Sequence, residues 1–279
     1  MRIAVAQLRS GDDKAANLDK IREAVADAAR LGAELVICPE AAMHDFGPPD
    51  LPLAPVAEPL DGPFVTALSG LARQHQVSVV AGMFEPVEGD GSRAYNTVVA
   101  LGPAGDLVGR YRKQHLYDAL GWLESDRLVA GDVNELLLVP LGDLQVGVMT
   151  CYDLRFPELS RALIDAGATV LAVPSAWVNG PAKETQWTAL ATARAIENVC
   201  YVAAAGQPPP TYSGCSRIVD PMGAPLASLA EIEGVVAAEV TAARVEHCRS
   251  RMPSLANRRW TVTPRVDDRP PEDAGPWVL

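Results

Sequence analysis

The 279-residue sequence is short of several things at once, and each shortage removes a class of function. It holds no uninterrupted apolar run approaching the roughly 20 residues of a membrane-crossing helix, and no hydrophobic leader follows Met1-Arg2. The chain is therefore expected to be cytoplasmic, with no membrane partner. Basic residues are outnumbered: 24 Lys and Arg against 35 Asp and Glu give a formal charge of -11, with no basic cluster of the kind a nucleic-acid footprint needs. Nucleic acid is not an expected partner. Cysteine is sparse and scattered (Cys38, Cys151, Cys200, Cys215, Cys248), with no Cys-x-x-Cys pair, and only 4 histidines accompany it. Neither a disulfide framework nor a structural zinc site is suggested. Also missing are a Gly-x-Ser-x-Gly elbow, a phosphate-binding loop and a Gly-x-Gly-x-x-Gly turn, which removes the local signatures of serine hydrolases and nucleotide binders.

What is present is a full apolar complement, 48% of residues, arranged as short runs alternating with helical spacing. Residues 2–8 read as a strand. Asn17 then caps a helix carrying Leu18, Ile21, Val25, Ala28 and Ala29, which Gly32 ends. Residues 34–38 form a second strand, with Pro39-Glu40 at its end. The stretch 43–63 holds six prolines and is expected to be a stiffened loop bordering a site. Residues 64–76 form a helix and 77–81 a buried strand. An acidic turn covers 85–92, and a hairpin joins 95–101 to 107–112, leaving Lys113 at the end of the returning strand. After a loop over 114–134, a second hairpin (136–141 and 145–149) stops at Cys151. Helix 157–166, strand 169–173, helix 185–198 and strand 201–205 follow. Strands 216–219 and 235–240 flank the Asp220-Pro-Met-Gly turn, and a helix spans 241–249. No linker divides residues 1–279, so a single domain is expected, with 264–279 as an extended arm rich in proline and charge.

An internal echo organises these elements. Leu31-Gly-Ala-Glu-Leu-Val-Ile-Cys-Pro39 and Ala166-Gly-Ala-Thr-Val-Leu-Ala-Val-Pro174 share a helix end, Gly-Ala, an apolar strand and a terminal proline. Two strand-helix-strand halves would pack sheet against sheet with helices outside.

Chemistry gathers at strand ends. Glu40, Lys113 and Cys151 each follow the last apolar residue of a strand, where ligand sites of α/β sheets collect. Cys151 precedes a helix start, Phe156-Pro157-Glu158, whose N–H groups are expected to favour its thiolate. A thiol nucleophile needs a base, and attack on a carbonyl needs positive charge or N–H groups where the oxyanion forms. A carboxylate and an ammonium meet both needs without histidine. Singly, each residue has a structural reading: Glu40 in a turn, Lys113 as a solvated charge, Cys151 in the core.

At this triple the chain resembles the nitrilase superfamily of carbon-nitrogen hydrolases. The resemblance rests on Pro39-Glu40-Ala-Ala, Tyr111-Arg-Lys113-Gln-His-Leu116, Glu124-Ser125 and Cys151-Tyr-Asp-Leu-Arg-Phe-Pro-Glu158. It continues through Pro174-Ser-Ala-Trp177, Ala193-Arg-Ala-Ile-Glu-Asn198 and Asp220-Pro-Met-Gly223. It implies an α/β fold, a four-layer α-β-β-α sandwich of two mixed sheets, with no metal or organic cofactor. It also implies a homodimer joined across the helical face, or a larger assembly of such dimers. Carried over by position, Glu40 is the general base, Lys113 the oxyanion-stabilising ammonium, Cys151 the nucleophile and Glu124 the glutamate that holds the lysine and the substrate. The N–H of Tyr152 is a second candidate oxyanion donor.

Cys-Tyr-Asp-x-Arg-Phe-Pro is similar to the amidase branches acting on the terminal amide of 2-oxo acids or of deaminated glutathione. That likeness implies a small-molecule amide substrate. Arg155 becomes a candidate clamp for a substrate carboxylate and Trp177 a candidate substrate contact, although Arg155 could equally pair with Asp153 or Glu158. Gln186-Trp187-Thr188 and Gly214-Cys215-Ser216 depart from the His-Trp-Glu and Gly-His-Ser of many amidase relatives, which touches the acyl group rather than catalysis. An N-carbamoyl amide hydrolase, a nitrilase and a catalytically silent binding module remain open.

Overall fold

The apolar runs become strands because both of their faces are covered. In the computed structural model, which describes residues 1–265, β1 (Arg2–Gln7) sends Ile3 and Val5 into one core and Ala4 and Ala6 into another. The first core fills the space between the two sheets and continues between the second sheet and its helices; the second lies between the first sheet and its helices. A strand buried on both faces reads as a continuous apolar run, which is what residues 3–6 show.

The first sheet is built from β1, β2 (Leu35–Ile37), β3 (Ser78–Val87), β4 (Asp90–Leu101) and β5 (Leu107–Arg112), with helices α1 (Lys14–Arg30) and α2 (Pro63–His75) on its outer face. Two short strands, β6 (Asp118–Ala119) and β7 (Trp122–Leu123), pair as a small hairpin, and β8 (Leu128–Val129) lies beside β4. The second sheet comprises β9 (Leu137–Leu141), β10 (Leu144–Val148), β11 (Val170–Ser175), β12 (Tyr201–Gly206), β13 (Arg217–Val219) and β14 (Pro225–Ser228). Its outer face carries α3 (Pro157–Asp165) and α4 (Lys183–Asn198), through Leu163, Trp187 and Ala191. The chain then returns to the first sheet with β15 (Gly234–Glu239), antiparallel to β1, and α5 (Ala242–Arg251) comes after it. The expected arm lies, from residue 266 onward, outside the described residues.

The echo in the sequence is an echo in topology. One sheet runs β15-β1-β2-β3-β4-β5, the other β9-β10-β11-β12-β13-β14. In each, an antiparallel strand flanks three parallel strands, and two antiparallel strands complete the order. The result is the four-layer α-β-β-α arrangement.

Several local expectations need correcting. Asn17 does not cap α1; Asp13 does, its Oδ1 accepting from the N–H groups of Ala15 (2.8 Å) and Ala16 (3.2 Å). Asn17 lies one turn inside, and its amide donates to the carbonyls of Gly11 (2.8 Å) and Met43 (3.0 Å), fastening the helix to the chain beyond Glu40. The acidic stretch 85–92 is mostly strand, because Glu85 is buried by pairing with Arg112 and Thr97 and lets β3 continue to Val87. The partner of β13 is β14, which the sequence reading missed, whereas β15 belongs to the other sheet.

One close approach positions the site. Past β2 the chain wraps Gly82 of β3: the Gly82 N–H donates to the Pro39 carbonyl (3.1 Å) and the Gly82 carbonyl accepts from the Met43 N–H (3.1 Å). A Cβ at Gly82 would meet Ala41 N at 2.5 Å and Glu40 Cα at 2.7 Å, both backbone atoms that cannot swing aside. Gly82→Ala should therefore displace Glu40. A stability loss of about 1–3 kcal/mol in urea unfolding, with a larger loss of activity than such a stability change accounts for, is expected; native-like stability and activity would show that the bracket is dispensable.

Candidate active site

Glu40 sits three residues past β2, and Cys151 three residues past β10, at equivalent ends of the two facing sheets. Lys113 directly follows β5. The three expected residues are thus brought together by sheet-on-sheet packing from 40, 113 and 151 in sequence.

Glu40 is 1% exposed, and every donor around its carboxylate is fixed. Oε1 accepts from Lys113 Nζ at 3.0 Å and from the Asn96 side-chain amide at 2.7 Å, and Oε2 accepts from the Ala176 backbone N–H at 2.7 Å. The Gln207 side-chain amide donates to the Glu40 backbone carbonyl at 3.0 Å, holding the turn from the second sheet's side. A base with no rotational freedom is delivered to one place.

Lys113 is buried in the same way. Its Nζ donates to Glu40 and to both oxygens of Glu124, Oε2 at 2.8 Å and Oε1 at 3.0 Å. Burial alone would depress the lysine pKa; the charges of Glu124 and Glu40 outweigh it and hold the pKa well above the ordinary value. Glu124 opens a short 3₁₀ turn, Glu124–Asp126, and its Oε2 also accepts from the Tyr117 N–H at 2.8 Å. Burial pushes its pKa up, against the pull of Lys113.

Cys151 begins a 3₁₀ turn, Cys151–Arg155, at φ +48°, a left-handed conformation unusual for a residue with a Cβ. Asp153, fully buried, fixes that turn. Its Oδ2 accepts from the Thr150 N–H (2.9 Å) and the Tyr111 hydroxyl (2.6 Å), and its Oδ1 accepts from the His115 N–H (3.1 Å). Tyr111 and His115 bracket Lys113 in sequence, so one carboxylate ties the nucleophile's turn to the lysine's strand. Arg194 of α4 adds a bond from its Nε to the Leu154 carbonyl at 3.0 Å.

The expectation of a low-pKa thiolate is overturned. Burial first, then the negative charge of Glu40, hold the Cys151 thiol well above its ordinary pKa, against the opposing charge of Lys113. The resting nucleophile is a neutral thiol beside a carboxylate base, and deprotonation belongs to the reaction itself. Cys38 and Cys200 are also buried thiols, each pushed up to about 12 by burial, and neither has a Glu40-Lys113 pair beside it.

A pocket opens over Cys151, walled by Tyr117, Tyr152, Trp177, Glu124, Lys183 and Tyr212. Tyr152 contributes its ring to this wall, 5.0 Å from that of Tyr117. Its N–H precedes the first hydrogen bond of the turn, from Asp153 N to Thr150 O, so the turn does not consume it. Trp177 is buried, with its indole N–H donating to the Lys183 carbonyl at 2.9 Å. Arg155 pairs with neither Asp153 nor Glu158: its Nη2 donates to Gln186 Oε1 at 2.6 Å and its guanidinium stands 4.8 Å from the Trp177 ring centre. The loop 43–63 does border the pocket, through Asp45, Phe46 and Gly47, and Arg127 pins it by donating to the carbonyls of Phe46, Pro48 and Leu51. Sequence reasoning missed Asn96, Asp153 as an anchor, Gln207 and Lys183. Among the described residues, no group of three or more His, Cys, Asp and Glu side chains is placed to hold a metal ion.

Two mixed sheets with helices outside, and a buried Glu-Lys-Cys cluster at their meeting ends, define a carbon-nitrogen hydrolase of the nitrilase type. The family model described as carbon-nitrogen hydrolase matches residues 2–250, and the chain belongs to that family. It is similar to a hydrolase of Mycobacterium tuberculosis, 40% identical over 274 residues (92% of this chain, 95% of that protein). It is also similar to the deaminated glutathione amidase of Escherichia coli O157:H7, 41% identical over 238 residues (85% and 88%). Among solved structures, it resembles a glutamate-to-glutamine mutant of the amidase from Nesterenkonia sp. AN1 with the acetamide moiety of fluoroacetamide on its active-site cysteine. That match has a TM-score of 0.80 and 28% identity, covering 93% of this chain and 94% of the other. A cysteine-to-alanine mutant of the same amidase with butyramide matches at a TM-score of 0.78 and 28% identity, covering 91% and 95%.

The charge pattern predicts how the thiol responds to its neighbour. Because the charge of Glu40 raises the Cys151 pKa, Glu40→Gln removes that effect and leaves Lys113 to lower it. Thiolate ultraviolet absorbance, taken as the difference from Cys151→Ala, should titrate at lower pH in Glu40→Gln than in the native enzyme, while amide turnover falls by roughly a hundredfold or more. An unchanged or higher titration would mean that another group holds the thiol protonated.

Proposed function

We propose that the protein is a cysteine-dependent amidase that cleaves a small carboxylate-bearing amide through a thioester. The observation that carries this reading is the immobilised Glu40 carboxylate beside a protonated Cys151, with the Lys113 ammonium bonded to Glu40 Oε1 at 3.0 Å. Glu40 takes the thiol proton as sulfur attacks the amide carbon. The carbonyl oxygen becomes an oxyanion, stabilised by Lys113 and the Tyr152 N–H. Collapse breaks the C–N bond, and the proton held by Glu40 passes to the departing nitrogen, releasing ammonia from a primary amide. Water, deprotonated by Glu40, then attacks the thioester; sulfur leaves and recovers the proton, and the acid departs. Glu124 keeps Lys113 aligned throughout.

The relatives named as deaminated glutathione amidase, and the amidase neighbours with butyramide or an acetamide moiety, support amides over nitriles as substrates. Positive charge at the pocket, from Arg155 and Lys183, supports a carboxylate on the acyl side. Five free cysteines support a reducing, cytoplasmic setting. A homodimer across the helical face is part of the same reading, supported by the half-exposed Ile196 of α4, which lies against Gly223, and by the half-exposed Met222 that precedes that glycine.

Mass spectrometry of enzyme quenched during turnover should show an acyl adduct on the Cys151 peptide; an adduct on Cys200 or Cys215 instead would sink the assignment. Ammonia release across amides, carbamoyl amines and nitriles, with Cys151→Ala as the blank, should single out amides. Lys113→Arg should fold yet lose about 10²–10³ in turnover, because a planar fork cannot sit where a compact ammonium bonds three carboxylate oxygens. More than a tenth of native turnover in that variant would refute the role.

A further inference from the structure

Lys183 violates three local rules at one place. It is the first residue of α4, at the positive end of the helix dipole, where acids rather than bases are favoured. Its predecessor Ala182 occupies the left-handed region at φ +58° and gives the helix no side-chain cap. Its side chain is buried, 5% exposed, in the pocket wall beside Cys151. Among the described residues it forms no ion pair; its Nζ donates only to the Tyr117 hydroxyl, at 3.0 Å. Burial first, then the charge of Arg155, lower its pKa, so the environment disfavours the cation it holds. Costs of this kind persist where function requires them.

The electrostatic costs, those of a buried cation at a helix N-terminus with no ion pair, are relieved by an anion in the pocket. Arg155 stands near the same indole, 4.8 Å from the Trp177 ring centre against 5.0 Å for Lys183 Nζ, but it does not line the cavity and is already bonded to Gln186. The pocket that Cys151 and Lys183 share is lined by the rings of Tyr117, Tyr152 and Trp177, with Tyr117 and Trp177 beside Lys183 and Tyr152 beside Tyr117. An acyl group that suits this path has an apolar middle, with its amide at Cys151 and a negative group at the other end.

We propose that Lys183 determines the acyl specificity: its ammonium and the Tyr117 hydroxyl receive the terminal carboxylate of the substrate, while Arg155 acts from behind Trp177 by charge alone. This rests on the amidase reading and deepens it, moving the direct contact from Arg155 to a residue outside the Cys151 motif. The site takes ω-monoamides of dicarboxylic acids in preference to neutral amides of equal length.

The test uses the monoamides from malonamate to adipamate against the neutral primary amides of the same length, with native enzyme, Lys183→Met and Lys183→Arg. Circular dichroism melts check that the variants fold. At the preferred length, Lys183→Met should lower the ratio of kcat/KM for the anionic over the neutral amide by about tenfold or more, mostly through KM, and Lys183→Arg should restore most of it. Equal losses on both amides, or an unchanged ratio, overturn the proposal. A calorimetric arm separates it from the reaction: glutarate should bind Cys151→Ala about tenfold or more tightly than Cys151→Ala with Lys183→Met. Equal glutarate binding removes the carboxylate site whatever the turnover. Lys183-dependent glutarate binding by an enzyme that cleaves none of the amides keeps the site and removes the amidase reading.

Discussion

The site depends on one ammonium held between two carboxylates out of reach of water. Lys113 could not remain charged at 1% exposure on its own, since removing an ion from water costs several kcal/mol even after the protein relaxes. Glu40 and Glu124 make it stable, and neither carboxylate would be tolerable there without the lysine. With Cys151 as a thiol, the cluster carries one excess negative charge. Moving the thiol proton to Glu40 turns a thiol and a carboxylate into a thiolate and an acid, so the excess stays the same. A resting thiolate beside two ionised carboxylates would instead have doubled it. This explains why the thiol rests protonated although it opens a turn whose N–H groups favour an anion. Burial first, and then the field of the neighbouring carboxylate, outweigh the turn.

Much of the fold and of the reacting cluster was legible in the sequence because the governing signals are local. Apolar runs bounded by Gly and Pro located the strands, and the first reactive side chain past each run located Glu40, Lys113 and Cys151. The spacing of 31–39 and 166–174 anticipated two like halves. The errors have local causes too. Asn17 resembles a cap, but Asp13 four residues earlier captures the free N–H groups, and the amide of Asn17 is drawn off to Gly11 and Met43. Strand β14, Pro225–Ser228, opens with proline and is largely exposed, so its pairing carries no periodic signature.

The supporting residues were illegible for a different reason. Asn96 is an ordinary polar residue on a strand until β4 is placed beside β3 and its amide meets Glu40. Asp153 was visible in the motif as a partner for Arg155, yet its actual partners, Tyr111 and His115, lie some 40 positions away. A charge is interpretable from sequence when its place at a strand end marks it, as for Glu40 and Lys113, or when its counter-charge is near in sequence. Lys183 has none among the described residues, and only the folded pocket shows that this is unusual.

Glu40 and Ser175 occupy equivalent positions in the two halves, 135 residues apart, and the ends of their strands meet across the sandwich. The N–H that secures Glu40 Oε2 belongs to Ala176, the neighbour of its own counterpart. Two mirrored strand ends have therefore divided the labour: one supplies the acid, the other the peptide bond that immobilises it. Identical residues at both ends would have set carboxylate against carboxylate across a narrow gap. The chemistry exists because the repetition is broken here, and a chain built twice from the same plan has, among its described residues, one reacting centre.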